Sequence, residues 1–173
     1  TMILGGGKTG LYLAMLLLNE NIDVTIVELN RERCFELKEM VPDAEVINGD
    51  GTDIAILEEE MVHTYDSFVA ATGIDEANLL MSLVAKQTGI YKSVAKISRT
   101  NYDKVLDKLD IDAVFNTSYI TAAEILREIR GKNSLSLHLL LNGQVECIEL
   151  IIKERQLVCG KALEELNLPD GVL

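Results

Sequence analysis

The glycines near the start of the chain have the spacing that phosphate binding requires. Gly5, Gly7 and Gly10 fit the pattern G-x-G-x-x-G between a short apolar segment and the apolar run at residues 11–18. In a strand–turn–helix, the first glycine permits the turn, the second lets a pyrophosphate approach the backbone, and the third allows close packing of helix on strand. The amides and the dipole at the start of such a helix favour an anion. We therefore predict a phosphate-binding loop.

Lys8 and Thr9 lie inside this loop and are counted among its candidate ligand-binding residues. Gly7-Lys8-Thr9 also resembles the end of a P-loop, but that motif requires a glycine where Met2 stands. Lys8 is therefore interpreted as a loop residue near phosphate or solvent, not as a nucleoside-triphosphatase lysine.

An acidic residue follows the next apolar segment of the chain. Glu28 ends the run at residues 24–27, close to where a ribose-binding carboxylate belongs after such a glycine loop. Its two oxygens can accept hydrogen bonds from both ribose hydroxyls, and its charge would repel a 2′-phosphate. This favours NAD or an adenosine nucleotide over NADP. The alternative is a glycine turn without a ligand and an exposed Glu28.

Further candidates lie in loops that follow later strands. Asp50 could accept from an adenine amino group or a ribose, or could only bond its own turn. Thr72 and Gly73 could offer a hydroxyl and an amide to a pyrophosphate or second ribose, or serve as turn residues. Lys96 and Arg99 are the cations best placed to meet phosphate, with solvated surface charge as the alternative for each.

Apolar segments and helical patterns alternate along most of the chain. This alternation predicts an α/β fold with a doubly wound parallel (Rossmann-like) sheet, whose ligands bind outside the carboxyl ends of the strands. We expect Asp53 and Asp75 to cap the helices that follow them. Strands are predicted at residues 3–4, 24–27, 44–47, 67–71, 93–97 and 113–115, and helices at 11–18, 31–40, 54–61, 76–87, 102–109 and 119–130.

The pattern changes after the last of these helices. Residues 135–139 and 145–150 alternate in polarity around Asn142-Gly143, which predicts a β-hairpin, and a short helix is expected at 160–166. We predict a nucleotide-binding domain at 1–133, ending in a crossover helix, and a partial C-terminal lobe at 134–173. Both ends are expected to have been cut from a longer chain.

Composition excludes several classes of function. The 173 residues carry a formal net charge of −12, which opposes binding to nucleic acid or to an anionic membrane surface. Three cysteines without C-x-x-C spacing indicate reduced thiols in a cytoplasmic protein, and the two histidines suggest no metal site. No apolar run approaches the roughly 20 residues that span a bilayer, so direct membrane insertion is not expected.

Five motifs occur together along the chain: G-G-G-K-T-G at residues 5–10, V-E at 27–28, N-G-D-G-T-D at 48–53, A-T-G-I-D-E-A-N at 71–78 and V-A-K-I at 94–97. In this combination the chain resembles the potassium-transport nucleotide-binding family, also called the regulator of potassium conductance, and in particular the regulatory subunits of Trk potassium-uptake systems. The stretch 157–173 is similar to the start of that family's C-terminal lobe.

The resemblance implies a non-enzymatic regulatory domain that binds NAD or NADH, with ATP or ADP as the alternative. It implies a homodimer or larger ring, formed through the crossover helix, on the cytoplasmic face of a membrane potassium transporter or channel. By position, the resemblance implies that Gly5, Gly7 and Gly10 face the pyrophosphate and that Glu28 faces the adenosine ribose. Asp50, Gly51 and Thr52 would lie near the adenine. Thr72, Gly73 and Lys96 would lie near the phosphates or the far ribose, and Arg99 would contact a phosphate across a subunit boundary.

An NAD-dependent oxidoreductase is the second hypothesis. Hydride transfer commonly uses a His, Tyr or Lys as general acid or base beside the nicotinamide. The sequence shows no Tyr-x-x-x-Lys and no histidine at the predicted sheet edge. Catalytic residues are therefore not predicted.

Overall fold

The computed structural model describes residues 1–99, 102, 106, 108–130, 134–140, 145–154, 156, 158–162 and 165–166. The chain divides into two compact units, residues 1–118 and 119–173. No helix among the described residues is both long and apolar enough to cross a membrane.

The first unit contains a six-stranded parallel sheet in the order β3-β2-β1-β4-β5-β6, so the predicted α/β doubly wound fold is confirmed. The strand order reverses between β1 and β4. The strands are β1 (Met2–Leu4), β2 (Thr25–Glu28), β3 (Glu45–Asn48), β4 (Ser67–Ala70), β5 (Lys92–Ile97) and β6 (Ala113–Asn116). The described helices are α1 (Lys8–Asn19), α2 (Arg31–Met40), α3 (Ile54–Glu59), α4 (Asp75–Gln87) and α5 (Thr117–Arg130), with a 3-10 turn at Val62–Thr64.

Aliphatic side chains cover both faces of this sheet. On one face, Ile3 and Ile26 pack with Ala14 of α1 and Leu37 of α2. On the other, residues of β1 and β4 such as Phe68 pack against the segments that follow β3 and β4. Burial on both faces explains why the central strands are short runs of Val, Ile and Leu rather than alternating polar and apolar residues.

Several helix boundaries differ from the sequence prediction by one to three residues, and two of these differences have identifiable reasons. α1 begins at Lys8 instead of residue 11, because the extended Gly7 already serves as its N-cap. α3 ends at Glu59 instead of residue 61, because Met61 adopts a left-handed φ of 46° and starts the 3-10 turn. The helices predicted over 102–109 and 160–166 fall on ranges that include residues outside the described part of the chain.

The second unit contains an antiparallel pair, β7 (Ser134–Leu140) and β8 (Val145–Leu150), which confirms the predicted strand pairing. Leu137 lies opposite Ile148, and the register shifts between Ser134 and Ser136. The predicted turn at residues 142–143 lies outside the described residues. The domain boundary after residue 133 stays a prediction.

Candidate functional site

A cleft of about 390 Å³ opens at the carboxyl ends of β1, β2 and β4, where the strand order reverses. Leu4, Val27, Leu29 and Ile74 give it apolar walls that the sequence did not single out. The predicted site residues that line it are Gly5, Gly7, Glu28, Asp50, Gly51, Thr52, Thr72 and Gly73.

The glycine loop has the geometry that its spacing predicts. Gly5 has a φ of 101°, and its amide donates to the carbonyl of Val27 at 2.8 Å. A Cβ on Gly10 would collide with the carbonyl oxygen of Gly5, so α1 can approach the turn only with a glycine there. Around Gly7, by contrast, the space where a Cβ would point is open. The cleft is thus accessible beside the first turn of α1, where helix amides lack intrahelical partners.

The carboxylate of Glu28 is fixed by backbone donors from both sides. Its Oε2 accepts from the amide of Gly6 at 2.7 Å, and its Oε1 accepts from the amide of Asn30 at 2.8 Å. Each carboxylate oxygen can accept more than one hydrogen bond, so capacity for ribose hydroxyls remains. Asn48 Nδ2 also donates to the Glu28 carbonyl at 3.0 Å, which anchors the end of β2.

Gly6 and Arg33 belong to the same arrangement, and sequence reasoning missed both. Arg33 Nε donates to the carbonyl of Gly6 at 2.9 Å, and its Nη1 pairs with Glu36. A Cβ on Gly6 would collide with Leu37 of α2. The G-x-G-x-x-G pattern treats Gly6 as variable, and the third consecutive glycine was the signal that it is constrained.

Asp50 makes the turn contacts that were the alternative to a ligand role. Its Oδ1 accepts from the hydroxyl of Thr52 at 2.7 Å and from the amide of Thr52 at 3.0 Å, and the hydroxyl bond leads in lowering the pKa of Asp50. The residue also lines the cleft, so both interpretations remain compatible with its position. Asp53 caps α3 by accepting from the amide of Ala55, as predicted.

Thr72 is held by a buried asparagine that the sequence did not single out. Asn78 is fully buried, and its Oδ1 accepts from the amide and the hydroxyl of Thr72. Its Nδ2 donates to the carbonyl of Lys96 at 2.9 Å. The motif at residues 71–78 therefore joins the loop after β4 to the end of β5.

The prediction that Asp75 caps α4 was wrong. The N-cap is Ile74, and Asp75 is the first helical residue. Its carboxylate accepts from the amides of Ser98 and Arg99 at 3.0 and 2.9 Å. The carboxylate of Asp75 therefore bonds the amides that follow β5 and does not cap the amides at the start of α4.

The remaining candidates are not among the described residues that line the cleft. Lys8, Thr9 and Gly10 form the first turn of α1. Arg99 Nη1 pairs with Glu76 Oε1 at 2.9 Å, and both side chains are more than half exposed. Lys96 contributes its carbonyl to Asn78.

A six-stranded doubly wound sheet with a glycine loop at the reversal point and an acidic residue ending β2 defines a Rossmann-like domain. The sequence matches the TrkA-N domain family over residues 1–117. The chain belongs to this family, and the resemblance drawn from the sequence is confirmed.

Two relatives show how much of their own length the chain covers. It is 36% identical over 173 residues to Trk system potassium uptake protein TrkA homolog 1 of Methanosarcina mazei, covering 99% of this chain and 39% of that protein. It is 36% identical over 169 residues to a TrkA homolog of Methanothermobacter thermautotrophicus, covering 98% and 77%. The chain thus spans about two fifths of the length of the Methanosarcina relative.

Two solved structures share the fold. The TrkA-N domain of the inner membrane protein ybaL from Escherichia coli has a TM-score of 0.66 at 16% identity, covering 74% of this chain and 94% of that one. The GsuK channel bound to NAD has a TM-score of 0.65 at 20% identity, covering 82% and 25%.

Proposed function

We propose that the domain binds NAD or NADH, or alternatively ATP or ADP, in the cleft and thereby regulates a potassium-uptake system without consuming the nucleotide. The observation that carries the proposal is that Glu28 and Gly7, the N-cap residue of α1, line one cleft. A carboxylate that accepts hydrogen bonds from a ribose and helix amides that donate hydrogen bonds to a pyrophosphate are the two elements of a dinucleotide site.

In the proposed pose, the adenosine ribose hydroxyls donate to Glu28 and the pyrophosphate contacts the glycine loop. The adenine lies beside the turn at Asp50, and the far half of the ligand approaches the loop at Thr72. The residues assigned to this site are Gly5, Gly7, Lys8, Thr9, Gly10, Glu28, Asp50, Gly51, Thr52, Thr72, Gly73, Lys96 and Arg99.

Names of relatives support the biological role. The relatives include Trk system potassium uptake proteins, and a fold neighbour is a channel bound to NAD. We infer that this domain acts on the cytoplasmic side of a membrane potassium transporter or channel, through contact with that protein.

Nucleotide binding would be coupled to the neighbouring subunit through α5. Ile120, Ile125 and Ile129 of this helix are 49%, 57% and 76% exposed. Such apolar side chains suit a homodimer or larger ring built through the crossover helix. A nucleotide that binds one dimer geometry better than another shifts their equilibrium by at most that difference in affinity, typically about 1–3 kcal/mol.

Calorimetric titration with NAD, NADH, ATP and ADP tests the proposal. We expect at least one of them to bind and to raise the melting temperature of the wild type. Glu28→Ala should weaken that binding, whereas Glu39→Ala, an exposed change on α2, should leave it unaltered. Equal affinities for wild type and Glu28→Ala would contradict the pose.

The absence of turnover is tested separately. NADH absorbance should stay constant during prolonged incubation of the protein with NADH and simple electron acceptors. Oxidation of NADH that scales with protein concentration would favour the oxidoreductase hypothesis instead.

A further inference from the structure

The backbone of Gly6 is held at both of its polar groups by side chains from outside the loop. Its amide donates to Glu28 Oε2 at 2.7 Å, and its carbonyl accepts from Arg33 Nε at 2.9 Å. Glu28 ends β2 and Arg33 lies in the first turn of α2. The acidic side chain of Glu28 thus holds the amide of Gly6, and the basic side chain of Arg33 holds its carbonyl.

This fixation opposes a specific freedom of the sequence. Three consecutive glycines, Gly5, Gly6 and Gly7, have access to more backbone conformations than any other tripeptide. If the peptide between Gly6 and Gly7 flipped, the carbonyl of Gly6 would point to the place where an amide must face the ligand. A carbonyl oxygen directed at a phosphate would repel it. Holding the Gly6 carbonyl towards α2 keeps that acceptor away from the cleft.

Arg33 is suited to this task by its shape. The guanidinium is planar and presents donors in fixed directions. Its Nε reaches Gly6 while Nη1 contacts Glu36 at 2.6 Å, so the helix itself orients the group. The Arg33 side chain is 25% exposed and that of Glu36 is 57% exposed. Arg33, which contacts the loop, is therefore the less solvated member of this ion pair.

We propose that Arg33 is a positioning residue for the phosphate-binding loop, acting through the Gly6 peptide and not through contact with the ligand. The proposal rests on the proposed nucleotide site and deepens it. Because the loop contacts phosphate while Glu28 contacts ribose, loss of Arg33 should weaken phosphate-bearing ligands selectively.

Comparing ADP with adenosine isolates this effect. Arg33→Met should lower ADP affinity by about tenfold, the effect expected for losing a hydrogen bond to a charged group, and change adenosine affinity less than about twofold. Arg33→Lys should recover part of the ADP affinity, since an ammonium can reach one carbonyl but cannot present two fixed donors. Arg31→Met, on the same helix turn, is the matched control and should bind both ligands as the wild type does.

A ligand-free measurement tests the loop contact independently. Amide hydrogen exchange of Gly6 should accelerate in Arg33→Met and not in Arg31→Met, since Gly6 without its carbonyl contact can change its backbone angles, which weakens the bond from its amide to Glu28. A wild type that binds neither NADH nor ADP would overturn the nucleotide site while this exchange result still reports on the loop. Unchanged ADP affinity in Arg33→Met, or an equal loss for ADP and adenosine, would overturn the positioning role even where the wild type binds.

Discussion

Asn78 Oδ1 accepts hydrogen bonds from both the amide and the hydroxyl of Thr72, at 2.9 and 2.7 Å. The same side chain donates to the Thr72 carbonyl at 3.2 Å and to the Lys96 carbonyl at 2.9 Å. One fully buried amide therefore fixes the loop after β4 against the end of β5. Since Thr72 lines the cleft, this contact sets the shape of its wall.

Asn78→Leu should destabilise the domain by about 2–4 kcal/mol, because the buried polar groups of Thr72 and Lys96 lose their partner. Urea denaturation monitored by circular dichroism measures the change in free energy of unfolding. Asn19→Ala, at the exposed end of α1, is the control and should change stability by less than about 0.5 kcal/mol. A loss under about 1 kcal/mol in Asn78→Leu would contradict the proposed role of this amide.

Alanine at two glycines of the same loop should affect different properties: stability at Gly10 and nucleotide binding at Gly7. Gly10→Ala should lower the free energy of unfolding by at least about 2 kcal/mol, because its Cβ meets the backbone oxygen of Gly5. Gly7→Ala should fold normally, since Gly7 has a φ of −66° and open space at its Cβ position. It should instead weaken nucleotide binding, because the new methyl occupies the approach to the loop.

The two variants are compared by thermal unfolding and by calorimetric titration with NADH. Normal stability in Gly10→Ala would mean that helix and turn separate more easily than their contact indicates. Undiminished binding in Gly7→Ala would place the pyrophosphate elsewhere.

What the sequence predicted well depends on local spacing. The glycine turn, the position of Glu28 at the end of β2 and the alternating elements were recognisable because each is specified within one strand–turn–helix unit. Gly6 was treated as a variable position because its constraint comes from Leu37, which is thirty-one residues later in the chain. The run of three glycines marks the position as unusual, but it does not show which distant residue constrains it.

Asp75 illustrates how a sound local preference fails. An aspartate just before an apolar helical stripe is typical of an N-cap. In the folded chain, the amides of Ser98 and Arg99 leave the end of β5 beside it and take its carboxylate. Which donors come within reach is decided by the packing of α4 on β5, and this requires the tertiary structure.

Asp112 should make stability depend on acid pH. Lys86 Nζ donates to Asp112 at 2.8 Å, and the amide of Ser93 donates at 2.7 Å. The bond from Lys86 is the main cause of the lowered pKa of Asp112. A depressed folded pKa gives stability that is present above the ordinary value of 3.8 and is lost as pH falls through the lower folded value.

Asp112→Asn should therefore cost about 1 kcal/mol near neutral pH, and the difference from wild type should shrink in acid below pH 3.8. Urea midpoints measured across this pH range check the prediction. Lys86→Met should show the same trend, with Lys38→Met at an exposed position of α2 as control. A difference from wild type that grows in acid would reverse the expected sign.

Glu76 holds Arg99 and Tyr102 together at the end of β5. Its Oε1 accepts from Arg99 Nη1 and from the Tyr102 hydroxyl. The hydrogen bond to Glu76 is the leading cause of the raised pKa of Tyr102. That contribution to stability is present below the ordinary tyrosine value of 10.0 and is lost as pH rises through the higher folded value.

Glu76→Gln should lower the pKa of Tyr102 towards its ordinary value, as measured by ultraviolet absorbance of tyrosinate with Tyr102→Phe as the reference. It should also release Arg99 from its ion pair. If Arg99 meets phosphate as we predict, ATP affinity in low salt should rise about two- to threefold, the size expected for an exposed charge. Adding Arg99→Met should abolish the gain. A gain that survives in the double variant would assign the effect to the lost negative charge of Glu76, and no gain would remove Arg99 from the phosphate site.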